Sequence, residues 1–408
     1  MSSTPNTSKT YFLISHDKSI YIENDQVFEN DQKISPIEGS NEGDKTQPKQ
    51  TAEGCAHSKT REYYSSFLKN RFENLSVLTG AGSSIGSGGK TRDDLWDTIV
   101  KKITESVFQE FCEIIKCDWS IYSSSKDIES LLTNAYRARQ FLIVDGMNAP
   151  QNINIEAIIS DIESVIRECC QLKLPQDAPH VGFIKKITSR NLSDPRAKIF
   201  TLNYDTLFEQ AAKEARCWVV DGFSFEELRR FQGSNFDYDF VIREGSRVKD
   251  EDNYVPNVIH IYKPHGSMDW EKQGEQVVKN PTTKAPVIIY PKESKYENSF
   301  EQPFFEMMLR FQQEVRKKNA LLIIIGFSFY DKHIKNIILE ALDVNPGLRC
   351  VVVTKNLEVG HILELHKRAR DSHNLILVDE MFSDFVVNYP FPFTYSNDKS
   401  EEIGGHGE

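Results

Sequence analysis

Four short polar clusters follow apolar runs in this 408-residue sequence, and their side chains are suited to binding phosphates and sugars and to moving protons. They are Gly80–Ser84 (GAGSS), Thr201–Asp205 (TLNYD), His265–Ser267 (HGS) and Gly326–Ser328 (GFS). Glycines let the backbone approach a diphosphate closely. Asparagine offers both a donor and an acceptor to a hydroxyl or a water, and histidine, with an ordinary pKa of ~6.5, exchanges protons near neutral pH. The clusters together predict nucleotide chemistry.

The first cluster belongs to a G-x-G-x-x-x-G loop formed by Gly80, Gly82 and Gly86. Its backbone N–H groups are predicted to point at a diphosphate. The spacing departs from the G-x-G-x-x-G of dehydrogenases, and no acidic residue ends a clear second strand ~20 residues later. A hydride-transferring dehydrogenase is therefore disfavoured.

The second cluster contributes Asn203 and Asp205. Asn203 is expected to position a water or a ribose hydroxyl, the alternative being an ordinary turn residue. Asp205 is expected to hold a sugar hydroxyl or to cap the helix predicted to begin near Thr206, and capping is the commoner use of an aspartate at such a position.

The third cluster places His265 directly after the strand VIHIY, between Pro264 and Gly266. Proline and glycine on either side predict an imidazole held rigidly at a strand end, whereas a lone histidine would usually be a structural hydrogen-bonding group. His260 lies within the strand and is predicted to be packed. His333 is predicted to lie on a helix face.

Continuous apolar runs predict the elements that position these clusters. LSVLT, AKIF, ALLIII and RCVVV are runs of this kind, and APVIIYPK and NLILVD are two more. Separated by helical stretches, such runs predict a parallel sheet buried on both faces. Ligands of open α/β sheets bind at the carboxyl ends of the strands, so the four clusters are expected at one edge. Residues ~93–190 show helical periodicity and no strand, which predicts a helical insert.

Composition excludes several classes of protein. The net charge of −11 argues against a general nucleic-acid binder, which needs clustered Lys and Arg. The N-terminus lacks the apolar segment of a secretory signal, and ALLIIIGF is far shorter than the ~20 residues of a membrane span. The seven cysteines form no C-x-x-C pair, so neither a structural zinc site nor a disulfide framework is predicted. A cytoplasmic protein is expected.

The predicted organisation has three parts. Residues 1–60 are an N-terminal extension, with a hairpin followed by a mobile polar linker at about 33–58. Residues 61–400 form an α/β domain, a Rossmann-like parallel sheet flanked by helices, with the helical insert module at about 93–190. Residues 401–408 are a tail.

GAGSS, TLNYD, KPHGS and GFSFYDKHI, in this order and separation, resemble the bacterial sirtuin-like domains of anti-phage defence proteins. The resemblance runs from about Leu75 to Thr354. It implies a Rossmann-like domain with a helical module that binds NAD⁺, with Asn203, Asp205 and His265 matching the catalytic Asn, its neighbouring Asp and the catalytic His. The NAD⁺-binding positions that it implies are Gly80, Ala81, Gly82, Ser83, Ser84, Thr201, Gly266, Ser267, Gly326, Phe327 and Ser328.

The sequence also departs from the sirtuin deacylases. It lacks their paired C-x-x-C zinc ligands, and in place of their Pro-Asp-Phe-Arg segment only Arg92 and Asp94 are loosely comparable. The resemblance therefore favours a NAD⁺ hydrolase that depletes NAD⁺ during phage infection, with NAD⁺ as substrate and no metal. It further implies a homo-oligomer and a HerA-type hexameric ATPase as partner. A NAD-dependent deacylase, and a non-enzymatic sensor of NAD or ADP-ribose or structural subunit, are the alternatives.

Overall fold

The computed structural model describes residues 9–34, 51–144, 154–242, 254–288 and 302–391. The strands are β1 (Thr10–Ile14), β2 (Ser19–Glu23), β3 (Gln26–Glu29), β4 (Gln32–Ile34), β5 (Asn74–Thr79), β6 (Lys198–Thr201), β7 (Trp218–Val220), β8 (Val258–Tyr262), β9 (Gly266–Gln273), β10 (Gln276–Lys279), β11 (Pro286–Ile288), β12 (Ala320–Ile325), β13 (Leu348–Thr354) and β14 (Leu375–Asp379).

The helices are α1 (Ala52–Leu68), α2 (Arg92–Ile103), α3 (Glu105–Ile114), α4 (Trp119–Ser125), α5 (Ile128–Val144), α6 (Ile155–Cys170), α7 (Pro179–Thr188), α8 (Leu207–Glu214), α9 (Phe304–Glu314), α10 (Lys332–Val344), α11 (Gly360–Leu363), α12 (Leu365–Asp371) and α13 (Phe382–Asn388). In the described part of the chain, none of them is both long and apolar enough to cross a membrane.

The central sheet has the strand order β4-β3-β2-β1-β14-β13-β12-β5-β6-β8-β7. The seven strands from β14 to β7 are parallel to their neighbours, and β1 to β4 continue the sheet as an antiparallel meander. The predicted Rossmann-like α/β fold is confirmed.

The β12 segment shows why its sequence forms a central strand. All six of its residues are buried, because helices cover both faces of the sheet. Side chains alternate between faces along a strand. Leu322 and Ile324 accordingly join one apolar cluster, while Leu321 and Ile323 join another on the opposite face. An apolar run without polar alternation is thus the expected pattern for this position.

The described residues between β5 and β6 are helical, as the periodicity predicts. Helices α2 to α6 share an apolar cluster of their own, which includes Trp96, Phe108, Leu131 and Ile162. These helices therefore form a module directly after the glycine loop.

The strands β1 and β2 pair antiparallel, and β1 also pairs with β14, so this N-terminal hairpin extends the main sheet. Two local expectations differ from the structure. Residues 52–58 of the expected linker begin helix α1, where Thr51 caps the first turn. In the described part of the run APVIIYPK, β11 pairs antiparallel with β9 in a separate three-stranded sheet and not in the parallel one. Residues 35–50, 289–292 and the tail 401–408 lie outside the described residues.

Candidate functional site

The four predicted clusters follow four strands that are neighbours in the sheet. GAGSS follows β5, TLNYD begins at the end of β6, HGS follows β8 and GFS follows β12, and the local strand order is β12-β5-β6-β8. All four strands run parallel, so the clusters lie at the same carboxyl edge. From β5 the chain continues through β6 to β8 on one side, and β12 to β14 lie on the other. The β5–β12 boundary is therefore the switch point at which ligands bind in such folds.

Three glycines from two loops meet at this switch point. A Cβ built on Gly82 would lie 2.5 Å from the Gly326 Cα, and one built on Gly80 would lie 2.7 Å from the Gly326 oxygen. Gly326 also has a positive φ of 60°, a conformation that L side chains rarely adopt. The glycines are needed here for backbone contact between two loops. Gly86, the third glycine of the motif, has open space at its Cβ position.

The backbone N–H groups of the glycine loop are mostly committed within the protein. The Gly80 N–H donates to Ile325 O and the Gly82 N–H to Gly326 O, each at 3.0 Å, and those of Ser83 and Ser84 donate within the loop. This differs from the expectation that the whole loop directs N–H groups at a diphosphate. Among the described residues no acceptor is found for the N–H of the exposed Ala81.

Asn203 fastens the second loop to the first. Its Nδ2 lies 3.0 Å from Gly80 O, 3.2 Å from the Ser83 Oγ and 2.8 Å from the Ser84 Oγ. The Gly80 carbonyl only accepts, so it fixes which side of the amide carries the hydrogens. The half-buried Asn203 therefore commits Nδ2 to the glycine loop, and Oδ1 is its remaining polar atom.

Asp205 lies behind Asn203 and is buried. Its Oδ1 accepts from the Leu207 N–H at 3.0 Å at the start of α8, and its Oδ2 accepts from the Ser84 Oγ at 2.7 Å. The predicted contact with the start of the helix is therefore made by Oδ1. Oδ2 holds the Ser84 hydroxyl, which Asn203 also contacts. The geometry makes Asp205 a positioning residue for Asn203.

A tight turn presents His265. The Gly266 N–H donates to the Lys263 oxygen at 3.0 Å, which leaves Pro264 and His265 at the two central positions. Gly266 has φ of 91°, and a Cβ there would collide with the Val287 oxygen. The prediction that Pro264 and Gly266 hold His265 in place therefore has a physical reason, because only glycine fits at position 266 of this turn.

The imidazole of His265 contacts Asp331, a residue that the sequence did not single out. His265 Nε2 lies 3.1 Å from the Asp331 Oδ2. The other oxygen, Oδ1, accepts from the N–H groups of His333 and Ile334 at 2.9 and 3.3 Å and so caps α10. The carboxylate holds the imidazole by Nε2, as an aspartate orients histidine in hydrolase triads.

Lys263 joins the His265 turn to the Asn203 loop. It is 2% exposed, donates to the Asp205 carbonyl oxygen, and forms an ion pair of 3.2 Å with Glu209 of α8. Met268 adds a second connection, because its N–H donates to Tyr204 O at 3.0 Å. The loops that carry Asn203 and His265 are therefore directly bonded to each other.

The remaining predicted binding positions are of two kinds. Ser328 is exposed at the switch point. Thr201, Ser267 and Phe327 are at least 96% buried, the Thr201 Oγ1 accepts from the Asn203 N–H at 3.2 Å, and the Ser267 Oγ donates to Asp269 at 2.5 Å. These three side chains support the loops from inside.

Two other histidines, His260 and His180, differ from His265 because both are buried and have lowered pKa values. His260 is 5% exposed, and burial lowers its pKa to about 3, which confirms that it is packed. His180 of α7 was missed by the sequence argument. It is fully buried against the edges of Phe208 and Phe382, and burial lowers its pKa to about 4 despite the opposing effect of Asp205. A histidine one position into an apolar helix gives little sequence signal.

Arg92 connects the helical module to the loop after β12. Its guanidinium lies 4.4 Å from the Tyr330 ring centroid, and its Nη2 donates to Ser125 O at 2.8 Å. Asp94, the other residue compared with the deacylase segment, forms a capping box with Thr91 at the start of α2. Asp94 therefore has a structural use, and Arg92 lies at the boundary between the module and the site.

A family model described as SIR2-like domain matches residues 197–376, under half of the chain. The matched stretch runs from β6 to β14 and includes three of the four clusters, but not the glycine loop or helices α2 to α6. SIR2-like domains use NAD⁺, so the match supports a sirtuin-like protein with a NAD-related activity. No curated protein matches the chain.

Proposed function

We propose that this chain is a NAD⁺ glycohydrolase that cleaves the nicotinamide–ribose bond to give nicotinamide and ADP-ribose. The observation that carries the proposal is the junction of four loops at adjacent parallel strand ends, where Asn203 contacts the glycine loop and the His265 turn is bonded to the Asn203 loop. The SIR2-like match supports NAD⁺ as the ligand.

The chemistry needs a bound ribose, one ordered water and a proton acceptor. Positive charge develops on the ribose as nicotinamide departs, so catalysis requires orientation and exclusion of bulk water. In the proposal Asn203 Oδ1 orients the water or a ribose hydroxyl, because Nδ2 is committed to the glycine loop. His265 acts as general base through Nδ1, since Nε2 faces Asp331. Asp205 orients Asn203 through Ser84.

The residues present fit a dinucleotide at the switch point. The close approach of Gly82 to Gly326 leaves no side chain between the two loops, and the exposed Ala81 N–H is a donor for the diphosphate. The exposed Ser328 hydroxyl is assigned to the adenosine side. The proposal thus narrows the phosphate contacts from the whole glycine loop to the Ala81 end.

A deacylase is the second candidate. Deacylases of the sirtuin type build their acyl-lysine groove with a zinc module held by paired C-x-x-C ligands. The seven cysteines of this sequence form no C-x-x-C pair, so it lacks the ligands that hold this module in deacylases, which favours the hydrolase.

The four motifs, in their order along the chain, also support a proposal for the cellular role and the partner of this protein. Their resemblance to anti-phage defence proteins supports NAD⁺ depletion during infection, and it supports a homo-oligomer with a HerA-type hexameric ATPase as partner. An enzyme that destroys NAD⁺ must be restrained, and assembly is the proposed means. Native mass measurement of the purified chain, alone and with such an ATPase, tests this part; a monomer that forms no complex would overturn it.

The enzyme class is tested by incubating the purified full-length chain with NAD⁺, with and without an acetyl-lysine peptide and with and without the ATPase. Equal release of nicotinamide and ADP-ribose in the absence of peptide is expected. Release that depends on the peptide would support the deacylase. No release in any mixture would support a NAD sensor or a structural subunit.

A further inference from the structure

A group of potential metal ligands lies far along the sheet from the proposed NAD⁺ site. It consists of His16 and Asp17, in the turn between β1 and β2, and His373, in the connection that leads into β14. One ligand atom from each residue lies within 4.8 Å of the others, and all three residues are exposed. We propose that these residues form a site for a divalent transition-metal ion such as Zn²⁺, which fastens the N-terminal meander to the core.

The sheet register brings the residues together. β1 pairs antiparallel with β14 through Leu13 opposite Val378 and Ile14 opposite Leu377. β1 ends at Ile14, opposite Leu377, so the β1–β2 turn starts close to the residues that precede β14. The pairing of β1 with β14 therefore brings His16 into the neighbourhood of His373.

Hydrogen bonding prepares His16 as a ligand. Its Nδ1 lies 2.8 Å from the carbonyl oxygen of Arg370. A carbonyl oxygen only accepts, so Nδ1 carries the proton and the lone pair of the neutral ring is on Nε2. Metal-binding histidines commonly donate their second ring N–H to such a carbonyl, which fixes both tautomer and orientation.

The two rings are close enough to share an ion. Their centroids lie 3.7 Å apart with planes inclined by 55°, and the His373 Nδ1 lies 3.8 Å from the Asp17 carboxylate. A divalent cation between the two rings and the Asp17 carboxylate would therefore be held by nearby ligand atoms of opposite or partial negative charge. The ammonium group of the neighbouring Lys18 forms its ion pair with Glu29, at 2.6 Å.

The donor set selects the class of metal. Two imidazole nitrogens and one carboxylate oxygen suit Zn²⁺, Ni²⁺ or Cu²⁺ better than Mg²⁺ or Ca²⁺, which prefer oxygen ligands. Zn–N and Zn–O bonds are about 2.0–2.2 Å long, so the three ligand atoms must approach one another from their present spacing. The Asp17 and His373 side chains are 69% and 68% exposed and have room to do so. Water would complete the coordination. The proposal revises the sequence-based expectation of no metal for this surface only.

The test is a titration of the purified full-length chain with Zn²⁺ under reducing conditions, without NAD⁺. Wild type is expected to bind one Zn²⁺ per chain that H16A and H373A each fail to bind, and D17N is expected to bind it more weakly. Zn²⁺ should raise the melting temperature of wild type relative to EDTA, and this shift should be lost in H16A and H373A.

H361A is the matched control, because His361 is a partly exposed histidine paired with a single carboxylate, Glu364, at 2.9 Å. It should bind Zn²⁺ as wild type does. Equal Zn²⁺ stoichiometry in wild type, H16A and H373A would overturn the proposal and would place any bound zinc elsewhere, for example on thiols. Either result leaves the proposed NAD⁺ activity untouched, since the readouts are binding and melting.

Discussion

His265 and Asp331 lie 3.1 Å apart although the strands that precede them, β8 and β12, are separated in the sheet by β6 and β5. Their contact joins the two outer loops of the four that meet at the carboxyl edge. The inner contacts are Gly82 with Gly326, Asn203 with Gly80, and Met268 with Tyr204. The four loops therefore form a closed ring of contacts, in which each loop is held from two sides.

The Asp331 carboxylate is predicted to position His265, and D331N tests this with little structural change. Asparagine also caps helices well, so α10 should keep its stability. Its amide, however, can donate to Nε2 and so favour the wrong tautomer of His265. We expect a lower kcat and an altered pH profile of nicotinamide release, with KM little changed.

Comparing D331A with D331N separates the helix cap made by Asp331 from its contact with His265. D331A removes the cap as well, which should cost about 1 kcal/mol of folding stability. If D331N released nicotinamide with the kcat and pH profile of wild type, Asp331 would be a helix cap and nothing more.

The glycines of the G-x-G-x-x-x-G loop are predicted to be unequal. Gly82→Ala should lower stability by about 1–3 kcal/mol, because its Cβ would meet the Gly326 backbone and the two loops would have to separate. Gly86→Ala is the matched control, since nothing lies within 4 Å of its Cβ position, and it should stay within about 0.5 kcal/mol of wild type. Denaturant midpoints measure both. Equal effects of the two substitutions would contradict the assigned contact.

The buried pair of Lys263 and Glu209 is predicted to hold the Asn203 loop. Lys263→Met should destabilise the protein by about 3–5 kcal/mol, because it leaves a buried carboxylate without its cation. Adding Glu209→Gln should recover most of this loss by removing the charge. Nicotinamide release should stay low in the double variant, because the Lys263 donor to the Asp205 carbonyl is then missing. Full activity in the stable double variant would show that the pair contributes stability alone.

His180 is predicted to make the fold sensitive to acid. Its folded-state pKa of about 4 lies below the ordinary value of 6.5, so the unfolded chain binds more protons between these values. Above pH 6.5 the imidazole is neutral in both states and adds no pH-dependent cost. Stability falls as pH decreases from 6.5 towards 4, by about 2 kcal/mol at pH 5. His180→Leu should lose less stability than wild type between pH 7.5 and pH 5, as measured by denaturation. If His180→Leu and wild type lost the same stability between pH 7.5 and pH 5, His180 would not be the source of the acid sensitivity.

The sequence predicted the strands of the site and the loops that follow them, because a buried parallel strand needs a continuous apolar run and its ligand-facing end needs polar residues. It also predicted why Pro264 and Gly266 flank His265. Both kinds of information are local.

Long-range contacts were not predictable in this way. Asp331 and His265 are far apart in the chain, and nothing in the residues around Asp331 indicates which partner it meets. The commitment of the Gly80 and Gly82 N–H groups likewise depends on the approach of β12, which a glycine motif alone does not specify. The sequence predicted an N-terminal hairpin but not its pairing with β14, because the residues of β1 do not indicate a partner so far along the chain.

The central claim is that Asn203 and His265 act on one bound NAD⁺, and steady-state nicotinamide release by N203A and H265A tests it most directly. Both variants should stay folded and lose most of kcat. For H265A the loss should be about 100-fold or more, the contribution of a proton-transfer group. N203A should also melt at a lower temperature than wild type, because it removes the Nδ2 contacts between two loops. R316A serves as a distant control and should keep full activity, because the exposed Arg316 precedes β12 at the opposite edge of the sheet. Wild-type turnover in folded N203A or H265A would contradict the account.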